Sequence, residues 1–203
     1  MVSNEQINVI KRNGRGPETL DIDKIHSMVG FATEGITGVS ASHVEMNSGL
    51  QFFDGISTDD IQQILIKSAN DLISLDSPNY QYVAARLLLF SLRKNLFHRL
   101  WEHPKFIDHI KKLIDLGLYD KGILENYTEA EIDRMGMWID HERDYSFTYA
   151  GLRQVMDKYL VQDRSTGEIY ETPQFMYMMI SATLFAKYPT ESRLQYVKKY
   201  YDA

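Results

Sequence analysis

A mainly α fold with small β-hairpins is predicted by three features of the sequence. Helix-start signals recur along the chain, among them Asp23, Ser57-Thr58, Ser77-Pro78 and the pair Thr128 and Glu131. Short β-prone runs occur at only two places, each beside a turn signal: Asn13-Gly14 near the start and Ser165-Thr166-Gly167 later. Cysteine is absent, so no disulfide, zinc ribbon or iron–sulfur centre organises the fold, and no thiol mechanism resides in this chain.

The elements follow in order. The run 7–10, closed by Lys11-Arg12-Asn13-Gly14, reads as a strand entering a hairpin, with 19–22 pairing back across a loop lengthened by Gly16-Pro17. Asp23 then caps a helix from Lys24 to about Thr33. Ser40 or Ser42 starts the next, with Ser42 and Glu45 in capping-box spacing, and Asp54-Gly55 breaks the chain after Phe52. Ser57 or Thr58 caps a third helix through Leu72, with Asp59 and Asp60 at the positive end of its dipole. Pro78, as a first helical residue, opens a fourth that runs to about Leu100. Further helices are predicted at 104–116, 128–139, 148–159, 173–187 and 190–201. A second hairpin pairs Leu160-Val161-Gln162 with Glu168-Ile169-Tyr170.

Composition narrows the function. The 203 residues suit one domain or two small ones, and 44% hydrophobic with 25% charged residues is ordinary for a globular protein. A net charge of −6 argues against general nucleic-acid or anionic-membrane binding. No run reaches the ~20 apolar residues of a membrane span, and Met1 to Gln6 lack a secretory pattern. A cytoplasmic protein is expected, with no nucleic-acid and no membrane partner.

Candidate chemistry is sparse. Lys11, Arg12, Lys24, Arg93 and Lys94 form the basic group. Lys11 and Arg12 point opposite ways on a strand and share a ligand only where it yields to the turn. Val83, Leu87, Phe90 and Lys94 share one helical stripe, so Lys94 either holds a phosphate beside an aromatic ring or closes a helix end. His26, His43, His98, His103, His109 and His141 lack the i, i+4 pairing of a helical zinc site and read as surface or satisfied residues. Asp140, Glu142 and Asp144 read either as paired carboxylates or as a solvated helix end. Met176, Met178 and Met179 read as a buried helix rather than a cofactor box. No nucleophile elbow, phosphate loop or dinucleotide fingerprint is present.

Several stretches nevertheless resemble one family. They are Val9-Ile10-Lys11-Arg12-Asn13-Gly14, Phe53-Asp54-Gly55-Ile56-Ser57-Thr58 and Tyr80-Gln81-Tyr82-Val83-Ala84-Ala85-Arg86-Leu87. Tyr159-Leu160-Val161-Gln162, Thr166-Gly167-Glu168-Ile169-Tyr170-Glu171 and Arg193-Leu194-Gln195-Tyr196-Val197 follow in the same order. The chain thus resembles, along essentially its whole length, the amino-terminal part of the large (alpha) subunit of class I ribonucleoside-diphosphate reductase.

That resemblance implies an ATP-cone over residues 1–98, a small sheet capping four helices, which binds ATP as activator and dATP as inhibitor. Residues 99–203 would be the helical approach to the subunit's barrel. The implied nucleotide-binding positions are Lys11, Arg12, Glu18, Asp21, Lys24, Thr58, Asp60, Gln62, Phe90 and Lys94. The lysines would serve phosphates, Thr58 a hydrogen bond at a helix start, and the acids ribose or adenine. At Gln62 the family pattern has histidine, so dATP inhibition is expected to be weak; the alternative is a neutral change at an exposed position.

Magnesium can accompany the nucleotide, and no resident metal or redox cofactor is implied here. Family catalysis runs through cysteines, so this chain is expected to be part of the reductase but inactive alone. A second polypeptide carrying the rest of the alpha subunit is the expected partner, with a second alpha subunit and the radical-generating beta subunit. A free-standing nucleotide sensor and a helical interaction module are the competing readings.

Overall fold

In the computed structural model, residues 7–11 and 17–203 are described, and they form a mainly helical protein with one small sheet. The chain divides into two compact units. One takes residues up to Ser91 together with Tyr145–Leu152; the other takes Leu92–Asp144 and Arg153–Ala203.

In the first unit, β1 (Asn8–Ile10) lies at the centre of a three-stranded sheet. It pairs antiparallel with β2 (Glu18–Thr19) and parallel with β3 (Ile56–Ser57). The expected hairpin is present, but its second strand is Glu18–Thr19 rather than 19–22, because Asp21 already caps α1 and Ile22 opens it; the turn at Asn13-Gly14 lies outside the described residues. The third strand, two residues long, gave no periodicity to read. Asp54 sets its pairing: Oδ1 accepts from both the backbone N–H and the Nδ2 of Asn8, at 2.8 and 2.9 Å. Gly55 then turns at φ +82°, a left-handed conformation that glycine adopts without a Cβ penalty, and its N–H donates to Asn8 C=O.

Helix α1 (Ile22–Thr33) is capped by Asp21, not by Asp23: Asp21 Oδ1 accepts from Lys24 N–H at 3.2 Å, and Asp23 lies inside the first turn. Helix α2 (Ala41–Gly49) holds Ser42 within it, so the Ser42–Glu45 spacing forms no cap. It packs between α1 and α3. Helix α3 (Thr58–Asp71) starts as expected, with the Ser57 hydroxyl accepting from Asp60 N–H, and buries Ile61, Leu65, Ile66 and Ala69 on one face.

Helix α4 (Tyr80–Phe97) begins two residues later than its proline suggested, because Pro78 and Asn79 form turns with Gln81 and Tyr82. It stops at Phe97 because His98 adopts φ +58°. The apolar run around Arg86 is buried almost throughout, with Val83, Ala84, Leu87 and Leu89 fully enclosed.

The second unit contains α5 (Phe106–Asp115), α6 (Gly122–Asn126), α7 (Glu129–Trp138), a 3₁₀ turn (His141–Ser146, shared at its end with the first unit), α8 (Tyr149–Lys158, likewise shared), α9 (Pro173–Phe185) and α10 (Thr190–Asp202). The expected capping box at Thr128 and Glu131 is present in both directions. Helix α6 and the 3₁₀ turn escaped the sequence reading, being too short to show a period. The second hairpin is reduced to one antiparallel bridge, Gln162 to Ile169, with Gly167 at φ +75°. Phe106, Ile110, Ile132, Met135, Phe175, Met178 and Val197 make the core. Met176 and Met178 are buried in α9 as expected, while Tyr177, Ile180 and Leu184 on its other side are exposed.

Candidate nucleotide site

The three-stranded sheet joins distant segments of the chain. In the parallel β1–β3 pair, Val9 lies opposite Ile56 and Ile10 opposite Ser57. Lys11 follows Ile10 in the chain, as Thr58, the first residue of α3, follows Ser57. The start of a helix offers backbone N–H groups and a positive dipole end to an anion.

On the other edge, β2 carries Glu18, whose carboxylate pairs with Lys11 Nζ. The next basic residue among those described, Lys24, holds Asp21 at 2.9 Å. Hydrogen bonding from the Lys24 side chain keeps the Asp21 carboxyl below its ordinary range, and Asp21 in return raises Lys24. Lys11 and Lys24 are 34% and 75% exposed at the side chain, so both pairs are open to solvent.

Asp60 sits in the first turn of α3, where its Oδ2 accepts the Ser57 hydroxyl at 2.7 Å and reinforces the cap. Gln62, one turn on, is buried rather than exposed: it is 4% accessible, and Nε2 donates to Leu87 C=O on α4 at 2.9 Å. The reading of residue 62 as an exposed helix position is therefore corrected. Phe90 is also enclosed, at 2% exposure, with its ring edge-on to Tyr145 at 6.3 Å. Lys94 follows one turn later on α4, half-buried, in the stretch counted with the second unit. Arg12 lies outside the described residues. Sequence reasoning missed Asn8 and Asp54, whose hydrogen bonds tie the start of β1 to the turn before β3. In the sequence Asp54-Gly55 reads as a helix break and as part of a family stretch, with nothing to signal its pairing with Asn8.

The remaining candidates resolve as packing. His103 and His141 stack at 3.6 Å and His109 stacks on Phe175 at 4.3 Å, all within the second unit. His103 Nδ1, His141 Nδ1 and His109 Nε2 are buried without a hydrogen-bond partner, which corrects their reading as surface or satisfied residues. Burial, with the charge of Arg93 adding to it, holds His103 down to about 4. Burial holds His109 and His141 to about 3. Stacked rings do not converge their nitrogens on one point, and among the described residues no three such side chains are placed for a metal ion.

Asp144 is likewise not part of a solvated end. It is 1% exposed, accepts from Gln174 Nε2 at 2.8 Å and faces Arg93 at 3.4 Å. Asp140 and Glu142 stay exposed. Among the described residues no helix is long and apolar enough to cross a membrane.

Two family matches cover much of the chain: the ATP cone domain over residues 7–95, and the ribonucleotide reductase all-alpha domain over residues 145–203. The chain is 50% identical over 200 residues to ribonucleoside-diphosphate reductase 1 subunit alpha of Escherichia coli (strain K12). The same identity holds over the same length for the subunit alpha of Haemophilus influenzae. The subunit alpha of Enterobacteria phage T4 is 44% identical over 197 residues. These alignments take in 97–98% of this chain but 26% of each relative, so the chain spans about a quarter of their length.

Proposed function

The chain belongs to the ribonucleotide reductase alpha-subunit family, as its amino-terminal part, and from that premise we propose that residues 1–98 bind ATP and dATP as regulators of ribonucleotide reduction. What supports this is the β1–β3 register, in which Ile10 lies opposite Ser57, the residue that caps α3, and Lys11 is the next residue after Ile10. A triphosphate arriving there would exchange the exposed Glu18 carboxylate for phosphate oxygens at Lys11, with N–H groups of α3 completing the cradle. Glu18, Asp21 and Asp60 are the acceptors for ribose or base, and Lys24 is a second cation at the rim. Gln62, bonded to Leu87 C=O of α4, and Phe90, further along α4, form the wall behind. Arg12 and Lys94 join the set on the family pattern.

Residues 99–203 serve as the helical region on which the reductase barrel is built. With no cysteine in these 203 residues, the thiol chemistry lies elsewhere. We assign it to the remaining part of the alpha subunit, working with a second alpha subunit and a radical-generating beta subunit. The exposed Tyr177, Ile180 and Leu184 of α9 fit such a docking role.

Calorimetry on the full chain tests the regulatory reading. ATP and dATP should both bind, and Lys11→Ala and Lys94→Ala should each weaken binding about tenfold or more, since a charge-assisted contact is worth roughly 1.5–3 kcal/mol. No heat with either nucleotide at millimolar concentration would leave an interaction module instead.

A further inference from the structure

The ATP cone match ends at residue 95, yet the compact unit that contains the cone also takes in Tyr145–Leu152, which falls within the all-alpha match. This segment ends the 3₁₀ turn and opens α8. Leu152 is fully buried, and its N–H donates to Thr148 C=O at 2.9 Å as α8 starts. Thr148 Oγ1 also accepts from Gly151 N–H at 3.1 Å, which fixes the entry into the helix.

Tyr145 meets α4 at two successive turns. Its ring stands at 79° to that of Phe90, with centroids 6.3 Å apart, an edge-to-face arrangement. On the preceding turn, the Arg86 guanidinium lies 5.5 Å from the centre of the Tyr145 ring. Arg86 is itself anchored, donating from Nη1 to Glu34 C=O at 2.6 Å and to Ala32 C=O at 3.4 Å beside the end of α1. Tyr145 therefore connects the α1–α4 junction with the ring of Phe90. Phe90 is enclosed, and an enclosed ring in a close-packed interior takes its position from its neighbours.

We propose that Tyr145 is a positioning residue for the adenine-nucleotide site, acting through Phe90, and that residues 145–152 are a working part of the nucleotide-binding unit although Leu92–Asp144, counted with the second unit, come between them and the rest of it in the sequence. The inference rests on the reading of Phe90 as a wall of that site. It predicts that nucleotide affinity responds to a side chain that touches no nucleotide.

The test is calorimetry with ATP and dATP on the full chain and on Tyr145→Ala and Tyr145→Phe. Removing the ring should weaken both nucleotides by about three- to tenfold, and phenylalanine, which keeps the edge-to-face contact, should restore affinity to within about twofold. A purely structural role would lower the melting temperature and leave affinity unmoved. A folded Tyr145→Ala chain that binds like the wild type would overturn the proposal while leaving the nucleotide reading intact. A wild-type chain that binds neither nucleotide fails the reading itself, and the proposal with it. Should Tyr145→Ala not fold, hydrogen exchange on the wild-type chain decides: ATP should slow the amides of Tyr145–Leu152 together with those of α4 up to Ser91. Slowing in α4 without any at 145–152 overturns the proposal.

Discussion

Both units carry exposed ion pairs, Lys111–Glu129 and Lys198–Asp202 among those of the second, but the second also buries two. In the first, Lys11–Glu18 and Lys24–Asp21 are paired at the surface, with side chains 34–75% exposed. In the second, Arg93 and Asp144 meet at 2% and 0% exposure, and Arg193 and Glu131 at 9% and 13%. A surface pair is worth about 0–1 kcal/mol and can be traded for a ligand; a buried pair leaves an unpaired charge in a low dielectric when one partner goes. Exposed pairs can be exchanged for a ligand at little cost, whereas the two buried pairs of the second unit are tied to its packing.

The sharpest way to break that contrast is Arg93→Met. It strips the buried partner from Asp144 and the donor from His141 C=O, bonded at 2.6 Å. Urea denaturation should show a loss of about 3–5 kcal/mol. A loss under about 1 kcal/mol would mean that the second unit does not depend on its buried ions.

Acid titration presses on the same unit. The folded state holds His103, His109 and His141 below the ordinary 6.5, so the stability they contribute is present above that value and drains as pH falls towards 4 and 3. Asp144 runs the other way: burial raises it to about 6, so its contribution is complete below its ordinary 3.8 and is lost as pH rises through about 6. Three imidazoles outweigh one carboxylate. Melting temperature should drop by on the order of 10 °C between pH 7 and pH 4.5, and His109→Phe should flatten the curve. A flat profile in the unmodified chain would show that the stacked histidines open without cost.

The smallest effect concerns Gln62, the residue of the first unit that most resembles the second. Its buried amide is tied to Leu87 C=O. Gln62→His introduces a group that can carry a proton at that contact, so the ratio of ATP to dATP affinity should move by about five- to tenfold in calorimetry. An unchanged ratio would make residue 62 a packing position.

Legibility in the sequence followed the length of the signal. Thr128 and Glu131, three residues apart before a helical run, announced their cap directly, and Ser57 did the same. The motif words from Val9 to Val197 carried the family. What stayed hidden depended on partners distant in sequence. Strand β3 has two residues, and only Asn8, forty-six positions earlier, gives Asp54 its role. Asp144 among Asp140, Glu142 and Arg143 looks like solvated charge until Gln174 and Arg93 close over it. His103 and His141 carry no spacing that foretells a stack. Tyr145 gave no signal, because its meaning lies in Phe90.

Glu131 completes the capping box of α7 and also receives a two-pronged contact from Arg193 of α10, at 2.6–2.9 Å, while that guanidinium rests 4.4 Å from the centre of the Tyr127 ring. One carboxylate thus serves a link three residues long and another sixty-two residues long. The order of events during folding follows from this. The short loop closes early, since its entropy cost is small, and the turn at Thr128 can nucleate α7 before α10 exists. When α10 arrives it finds its anchor already built, so its docking belongs to the late, downhill side of the barrier. Contacts of that kind govern how slowly a protein comes apart more than how quickly it forms. The last helix of this chain is in that sense a clasp on the lifetime of the folded state.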